Sequence, residues 1–346
     1  MSHKNYLYLF AGLLLTALGS VAAINCYVDP LWLFGHSNRH NNVQTGFDER
    51  QQKSNRLHFG DTPYDALLLG SSRSTYINQN DFTGLRVFNY AVSGMRPEEY
   101  APYIAYAELQ RGQPFATVFI GVDFFGSNKK YGGRAAPAEQ FFRVAGRPFY
   151  RLESVLSFET LRKSLENMKK SGQSCDCYRR DNVKLMLEYT GEQKAELVQK
   201  DLSIFRKHIY GPDYTYDESL SATWRGLRER FPKSRFVVFT TPISAPLLLA
   251  LVECGRWPDY ERWMRVMVEA FGSVHDFMGI NAITLDLSNY QDASHFYPPI
   301  GTLIARSLTE AQAPLAGFGQ QVTRDNLEQH LRTQKMQIDA VVSKGN

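Results

Sequence analysis

Residues 116–125 read Ala-Thr-Val-Phe-Ile-Gly-Val-Asp-Phe-Phe. β-branched and aromatic side chains fill this run, and polar positions do not alternate with apolar ones. That is the composition of a strand covered on both faces, as in a parallel sheet lined by helices. Shorter runs of the same kind occur at 64–69 (YDALLL), 86–91 (RVFNYA), 235–241 (RFVVFTT) and 282–287 (AITLDL). Segments 97–110, 217–231 and 260–271 have helical periodicity, and 299–311 reads as a closing helix. The first of these helices carries Glu98 and Glu99 in its opening turn, where a helix N-terminus favours acid. Strands alternating with helices imply a parallel sheet with right-handed crossovers. Five strands predict a flavodoxin-like three-layer α/β/α sandwich with strand order 2-1-3-4-5.

The chain has 346 residues, 43% apolar and 21% charged, which are ordinary globular values. They exclude collagen-like, low-complexity and intrinsically disordered chains. Mean hydropathy is −0.35 and only one apolar run is long enough to span a bilayer, so a polytopic membrane protein is excluded. The net charge of +4 is too slight to imply nucleic acid as a partner. Four cysteines in a chain of this length exclude a disulfide scaffold.

The long apolar run is N-terminal. No charged residue lies between Lys4 and Asp29, and Tyr6–Val28 can cross ~30 Å of hydrocarbon as a helix. With Lys4 and the amino terminus before it, the positive-inside rule leaves the N-terminus in the cytoplasm and everything after residue 29 outside. A single-pass anchor in a bacterial inner membrane, with a periplasmic C-terminal domain, is therefore expected. Two other readings stand beside it. Ser20-Val21-Ala22-Ala23 could be a signal-peptidase site, and Cys26 could be a lipidation cysteine. The resulting organisation is an anchor at 1–28, a linker at 29–60, an α/β domain at 61–315 and a polar tail at 316–346. The domain holds a helical insertion at 126–215, and the tail a short helix around Asn326–Gln337.

In an open parallel sheet, ligands bind outside the carboxyl ends of the strands. Four features fall there: Gly70-Ser71-Ser72-Arg73-Ser74, Asn89 to Gly94, Gly121-Val122-Asp123, and Asp292-Ala293-Ser294-His295. Together they suit nucleophilic acyl transfer. A serine on a tight strand-to-helix turn projects its hydroxyl and offers its own N–H to an oxyanion. Ser72 is that serine, His295 its base, and Asp292 the group that orients the imidazole. Gly94 permits close backbone approach and could supply a second N–H. Singly, each feature also has a bland reading: a Gly-Ser-Ser turn, or a lone surface histidine.

Leu67-Leu68-Leu69-Gly70-Ser71-Ser72-Arg73 resembles the first block of the SGNH (GDSL-like) hydrolases, with Ser71 in place of the usual Asp. Gly94 matches the block-two glycine, and Asp292-Ala293-Ser294-His295 the Asp-x-x-His block. The Gly-Ser-Ser variant and the anchor look most like the membrane-anchored branch that includes the D-alanyl transfer protein of teichoic acids and the alginate O-acetylation proteins. Asp29-Pro30 directly after the apolar run adds to the likeness. The resemblance covers roughly residues 60–125 and 232–310. It implies Ser72 as nucleophile, His295 as base and Asp292 as orienter. It also implies a serine esterase or O-acyltransferase acting on a cell-surface or secreted polysaccharide, needing no cofactor and no metal, with a membrane-bound acyltransferase as partner. The alternative is a binding or assembly protein that keeps the fold without the chemistry. A third reading, a phosphate binder using Ser71–Thr75, suits a cytoplasmic chain and conflicts with the anchor.

One block departs from the family. The third block usually has Gly-x-Asn-Asp, whose Asn side chain donates to the oxyanion, and here the aligned residue is Asp123. An ionised carboxylate would repel a developing oxyanion. Either Asp123 points elsewhere, or it is protonated, or the hole uses backbone N–H groups of Ser72 and Gly94. On this reading, replacing Asp123 by Asn should raise activity.

Residues 126–184 hold 13 Lys plus Arg against 6 Asp plus Glu. A solvated helical face is one reading, and a groove for an anionic polysaccharide, a lipid-linked polymer or a lipid headgroup is the other. Phe141, Phe142, Phe149, Tyr150 and Tyr178 lie among the charges and could stack on sugar rings or be core. Cys175-Asp176-Cys177 has no further ligand at metal-binding spacing. A bond between its two cysteines would close a very small ring under strain, and pairing of one with Cys254 is a second option. Free thiols are the simplest expectation.

Overall fold

The computed structural model describes residues 2–131, 137–310, 315 and 317–345. Arg134 in the basic stretch, Ala311 at the end of the closing helix, and Ala316 and Asn346 at the ends of the tail lie outside the described residues. In chain order the helices are α1 (His3–Val28), α2 (Glu49–Phe59), α3 (Ser72–Thr75), α4 (Tyr100–Arg111), α5 (Ala138–Ala145), α6 (Tyr150–Val155) and α7 (Phe158–Lys170). There follow α8 (Gly191–Ile204), α9 (Leu220–Arg230), α10 (Ala245–Glu253), α11 (Trp257–Phe271), α12 (Ala282–Leu285), α13 (Pro298–Thr309) and α14 (Leu327–Gly345). The strands are β1 (Val43–Thr45), β2 (Ala66–Leu69), β3 (Val87–Asn89), β4 (Thr117–Val122), β5 (Cys177–Arg179), β6 (Arg235–Thr240), β7 (Ser273–Asp276) and β8 (Gln320–Thr323). Contacts divide the chain into two units, Met1–Thr62 with Pro137–Leu185, and Pro63–Ala136 with Met186–Asn346.

The larger unit is a mixed α/β body. Its sheet has the order β3-β2-β4-β6-β7-β8, with helices on both sides. Neighbours from β3 to β7 pair in parallel, and β8 pairs antiparallel to β7. All four residues of β2 and all six of β4 are buried, as an uninterrupted apolar run demands when both faces are covered. Phe82, Phe119, Phe239, Phe277 and Ile304 fill one side of this core.

The fifth parallel strand is not where the apolar pattern put it. AITLDL holds the short helix α12 instead. The Asn281 side chain accepts from the N–H groups of Ile283 and Thr284, and Thr284 Oγ1 accepts from the Asn281 N–H. This reciprocal cap outweighs the β tendency of the Ile-Thr-Leu that follows. The strand is β7, Ser-Val-His-Asp, polar enough to escape a hydropathy reading. Its buried Asp276 accepts from Thr240 Oγ1 (2.6 Å), His330 Nε2 (2.7 Å) and Gln334 Nε2 (2.6 Å). The last two come from α14. The segment read as a polar tail thus supplies a sheet strand and a docked helix longer than expected.

The smaller unit contains α1, the one described helix long and apolar enough to cross a membrane, with a mean hydropathy of 2.1 over its best window. Residues 29–60, read as a linker, are folded here. Their amide-rich sequence looks solvent-seeking, yet the amides are buried and bonded to main chain. Gln44 Nε2 donates to Val28 O (2.6 Å), Gln52 Nε2 to Pro30 O (2.8 Å) and Asn55 Nδ2 to Leu31 O (2.8 Å). Asp29 ends α1 in the left-handed region at φ 47°, accepts from the N–H groups of Leu33 and Phe34, and pairs with Arg180. The expected insertion is split: 137–185 belongs to this unit and 186–215 to the larger one. Phe141, Tyr150 and Tyr178 are buried, while Phe149 is 77% exposed.

Cys175 and Cys177 form a disulfide, which corrects the expectation of free thiols. A bend at Asp176 precedes β5 and brings the two Cα atoms to 5.2 Å, inside the ordinary range for bonded cysteines. Cys26 and Cys254 are free.

Candidate active site

The strand-to-helix turn after β2 is built by close packing. A Cβ on Gly70 would come within 2.2 Å of Ser74 Oγ and 2.9 Å of Gly121 O, so only glycine lets β2 end against β4 here. Ser71 caps α3, its Oγ accepting from the Arg73 N–H, and Ser72 is the first residue of that helical turn. Asn89, the last residue of β3, braces the turn from the side. Its Nδ2 donates to Ser74 O and Ile77 O, both at 2.9 Å, and its Oδ1 accepts from the Ala91 N–H. Val92 N–H donates to Gly70 O (3.0 Å), which holds the loop bearing Gly94 beside the end of β2. Gly94 is exposed and sits at φ 66°, in the left-handed region.

The opposite wall is the loop before α13. Asp292 Oδ1 accepts from the N–H groups of Ser294 (2.8 Å) and His295 (2.7 Å), an Asx turn that curls the loop. Ala293 O accepts from Ser244 Oγ (2.8 Å), pinning that loop to the start of α10. The curl aims the imidazole at α3. Ser72 Oγ lies 2.9 Å from His295 Nε2, and His295 Nδ1 lies 2.8 Å from Asp292 Oδ2. A carboxylate only accepts, so Nδ1 carries the proton donated to Asp292, and Nε2 is left to accept from the Ser72 hydroxyl. Tyr76 meets the imidazole edge-on at 6.2 Å. Burial works against the charge of Asp292, but the hydrogen bond and the charge of His295 outweigh it and hold the carboxyl at about 2. The His295 side chain is 26% exposed and Ser72 half-buried, so the pair is reachable from solvent.

Asp123 has a different place from the one a side-chain oxyanion donor would take. It is buried and engaged: Oδ1 accepts from Arg73 at 2.9 Å and from the Thr241 hydroxyl. Arg73 and Asp123 are each only 3% exposed. Burial disfavours the guanidinium charge, yet the Asp123 carboxylate more than restores it and Arg73 is shifted upward. Arg73 is also flanked by the rings of Phe125 and Phe205.

One residue near the site escaped the sequence reading. Asp201, on α8, interacts with Ser294, whose Oγ lies 3.1 Å from His295 Nδ1. Asp201 Oδ2 is buried without a partner. Burial and the charge of Asp292 together push this carboxyl up, against the pull of Ser294, His295 and Arg73. It lies in a segment whose helical pattern carries no motif, and only the fold brings it to the site. No group of three or more potential metal ligands occurs among the described residues. A groove between α9 and α11, lined by Arg225, Arg228 and Glu229, contains none of these residues. No protein-family model matches the chain, and neither does any curated protein.

Proposed function

We propose that the protein is an SGNH-type serine esterase or O-acyltransferase on a flavodoxin-like sheet, acting on a cell-surface or secreted polysaccharide at the outer face of the bacterial inner membrane. The observation that carries this reading is the continuous chain Ser72–His295–Asp292 at the carboxyl edge of the sheet. In the proposed reaction, Ser72 Oγ attacks an acyl carbonyl while His295 Nε2 takes its proton, and Asp292 stabilises the imidazolium. The N–H groups of Ser72 and Gly94 receive the oxyanion. The tetrahedral adduct collapses, His295 returns the proton to the leaving oxygen, and an acyl-Ser72 remains. A sugar hydroxyl or water, deprotonated by His295, then takes the acyl group and restores Ser72. α1 supports an anchored location, and the Cys175–Cys177 bond supports an oxidising compartment. A membrane-bound acyltransferase as donor of the acyl group is part of the proposal.

A second reading, a non-catalytic binding or assembly protein, draws on Asp123, which leaves the oxyanion without a side-chain amide. Hydrolysis of a chromogenic acetyl ester and of acetylated polysaccharide separates the two. The enzyme reading expects turnover that Ser72→Ala abolishes with the fold intact. Wild type matching Ser72→Ala on both substrates would favour the binding protein.

A further inference from the structure

α7 is built inside out. The residues it buries are Thr160, Ser164 and Asn167, and the last two face polar partners: Ser164 Oγ donates to Asn25 Oδ1 (2.9 Å), and Asn167 Oδ1 accepts from the Thr45 N–H (2.9 Å). Its apolar residues Phe158, Leu161, Leu165 and Met168 recur at i, i+3, i+7 and i+10. At about 100° per residue they share an arc of roughly 80°. Phe158 is 71% exposed and Leu165 45% exposed. A water-facing helix has the reverse arrangement, so this stripe is made for a non-aqueous neighbour.

The attachment to α1 identifies that neighbour. Asn25 Nδ2 donates to Val155 O (2.9 Å) and Ser157 O (3.0 Å), so the corner between α6 and α7 is fixed at the level of Asn25. From Tyr6, about 20 helical residues cross the hydrocarbon core, which brings Asn25 to its outer boundary. Phe158 therefore lies within about one helical turn of the lipid headgroups. On the wheel, Arg162, which also pairs with Glu159 (2.7 Å), and Lys169 border the stripe, as cations border the apolar face of interfacial helices.

We propose that α7 lies on the bilayer crossed by α1, with the Phe158–Leu161–Leu165–Met168 stripe seated at the boundary of headgroups and acyl chains and Arg162 and Lys169 among lipid phosphates. The proposal rests on α1 being a membrane span. Its occupant is a lipid surface continuous with the span. Such a platform holds the smaller unit flat on the membrane as well as tethered to it.

The test uses the full chain in nanodiscs containing phosphatidylglycerol, with Cys26 and Cys254 changed to Ser so that a single added cysteine carries a spin label. Labels go at Leu165→Cys, at Leu14→Cys within α1, and at Leu109→Cys, an exposed leucine of α4. Collision rates with oxygen, which partitions into lipid, are compared with those of a water-soluble nickel chelate. The expected oxygen-to-nickel ratio at Leu165→Cys is several-fold above that at Leu109→Cys and below that at Leu14→Cys. A water-like ratio at Leu165→Cys with a lipid-like ratio at Leu14→Cys overturns the platform and leaves the span. Water-like ratios at both overturn the span itself. Spin–spin broadening at Leu165→Cys, or exclusion of both reagents, would mean that a second copy or another protein covers the stripe, and would also overturn the proposal.

Discussion

Replacing Asp123 by Asn tests how the nucleophile is held. The resemblance read in the sequence favours a gain, since Asn would add an oxyanion donor. The structure reverses the sign. Asp123 and Arg73 are each 3% exposed, and Arg73 directly follows Ser72. Removing one charge of a buried pair typically costs about 3–5 kcal/mol, because the other stays buried and uncompensated. Asn retains one acceptor oxygen for Arg73 and Thr241, so the lower end, about 3 kcal/mol, is expected. For a unit of this size that is a fall of roughly 6–12 °C in melting temperature. Displacing a nucleophile on the scale of 1 Å costs on the order of 10²-fold in rate. Thermal unfolding and the rate of fluorophosphonate labelling of Ser72 should therefore both fall in Asp123→Asn. Arg73→Leu should remove most of the further stability cost of Asp123→Asn, as a double-mutant cycle would show. A melting point within about 2 °C of wild type, with faster labelling, would refute the argument.

Three further outcomes follow from buried ionisable groups and the disulfide. Asp201 has a raised carboxyl, so the folded state holds a proton that the unfolded state releases as pH rises past the ordinary Asp range, and stability falls across that window. Asp201→Asn should accordingly stabilise the protein more at pH 8 than at pH 4 in urea titrations. Lys53 is fully buried, and burial lowers its ammonium to about 7 despite the nearby Glu49. The unfolded state then binds more protons between pH 7 and the ordinary lysine range, so stability contributed at high pH is lost as pH falls toward 7, and Lys53→Met should help more at pH 6 than at pH 9. Reducing Cys175–Cys177 opens a very short ring, and the chain-entropy estimate for such a ring is roughly 1.5–2 kcal/mol. Unfolding with and without reductant should show a loss no larger than that.

Legibility in the sequence followed from how local each determinant was. The strands β2, β3, β4 and β6 announce themselves by apolar runs, and Ser72, Asp292 and His295 by their positions after strands and their spacing. β7 was missed because its stability comes from β6, β8 and the α14 side chains around Asp276, none of them local. Residues 29–60 looked like a linker because their buried amides are satisfied by main-chain carbonyls that the sequence does not display. Asp123 could be aligned but not oriented, since Arg73 is 50 residues away in sequence. Asp201 had no motif and enters only through tertiary packing.

In the proposed reaction His295 activates Ser72 as a nucleophile. Intact-mass and peptide-mass measurement after exposure to an alkyl fluorophosphonate tests it most directly. A single adduct on Ser72 is expected, absent in Ser72→Ala and slowed on the order of 10²-fold or more in His295→Ala, as loss of a general base requires. No adduct on Ser72 in the folded wild type, or one formed equally fast in His295→Ala, would contradict it.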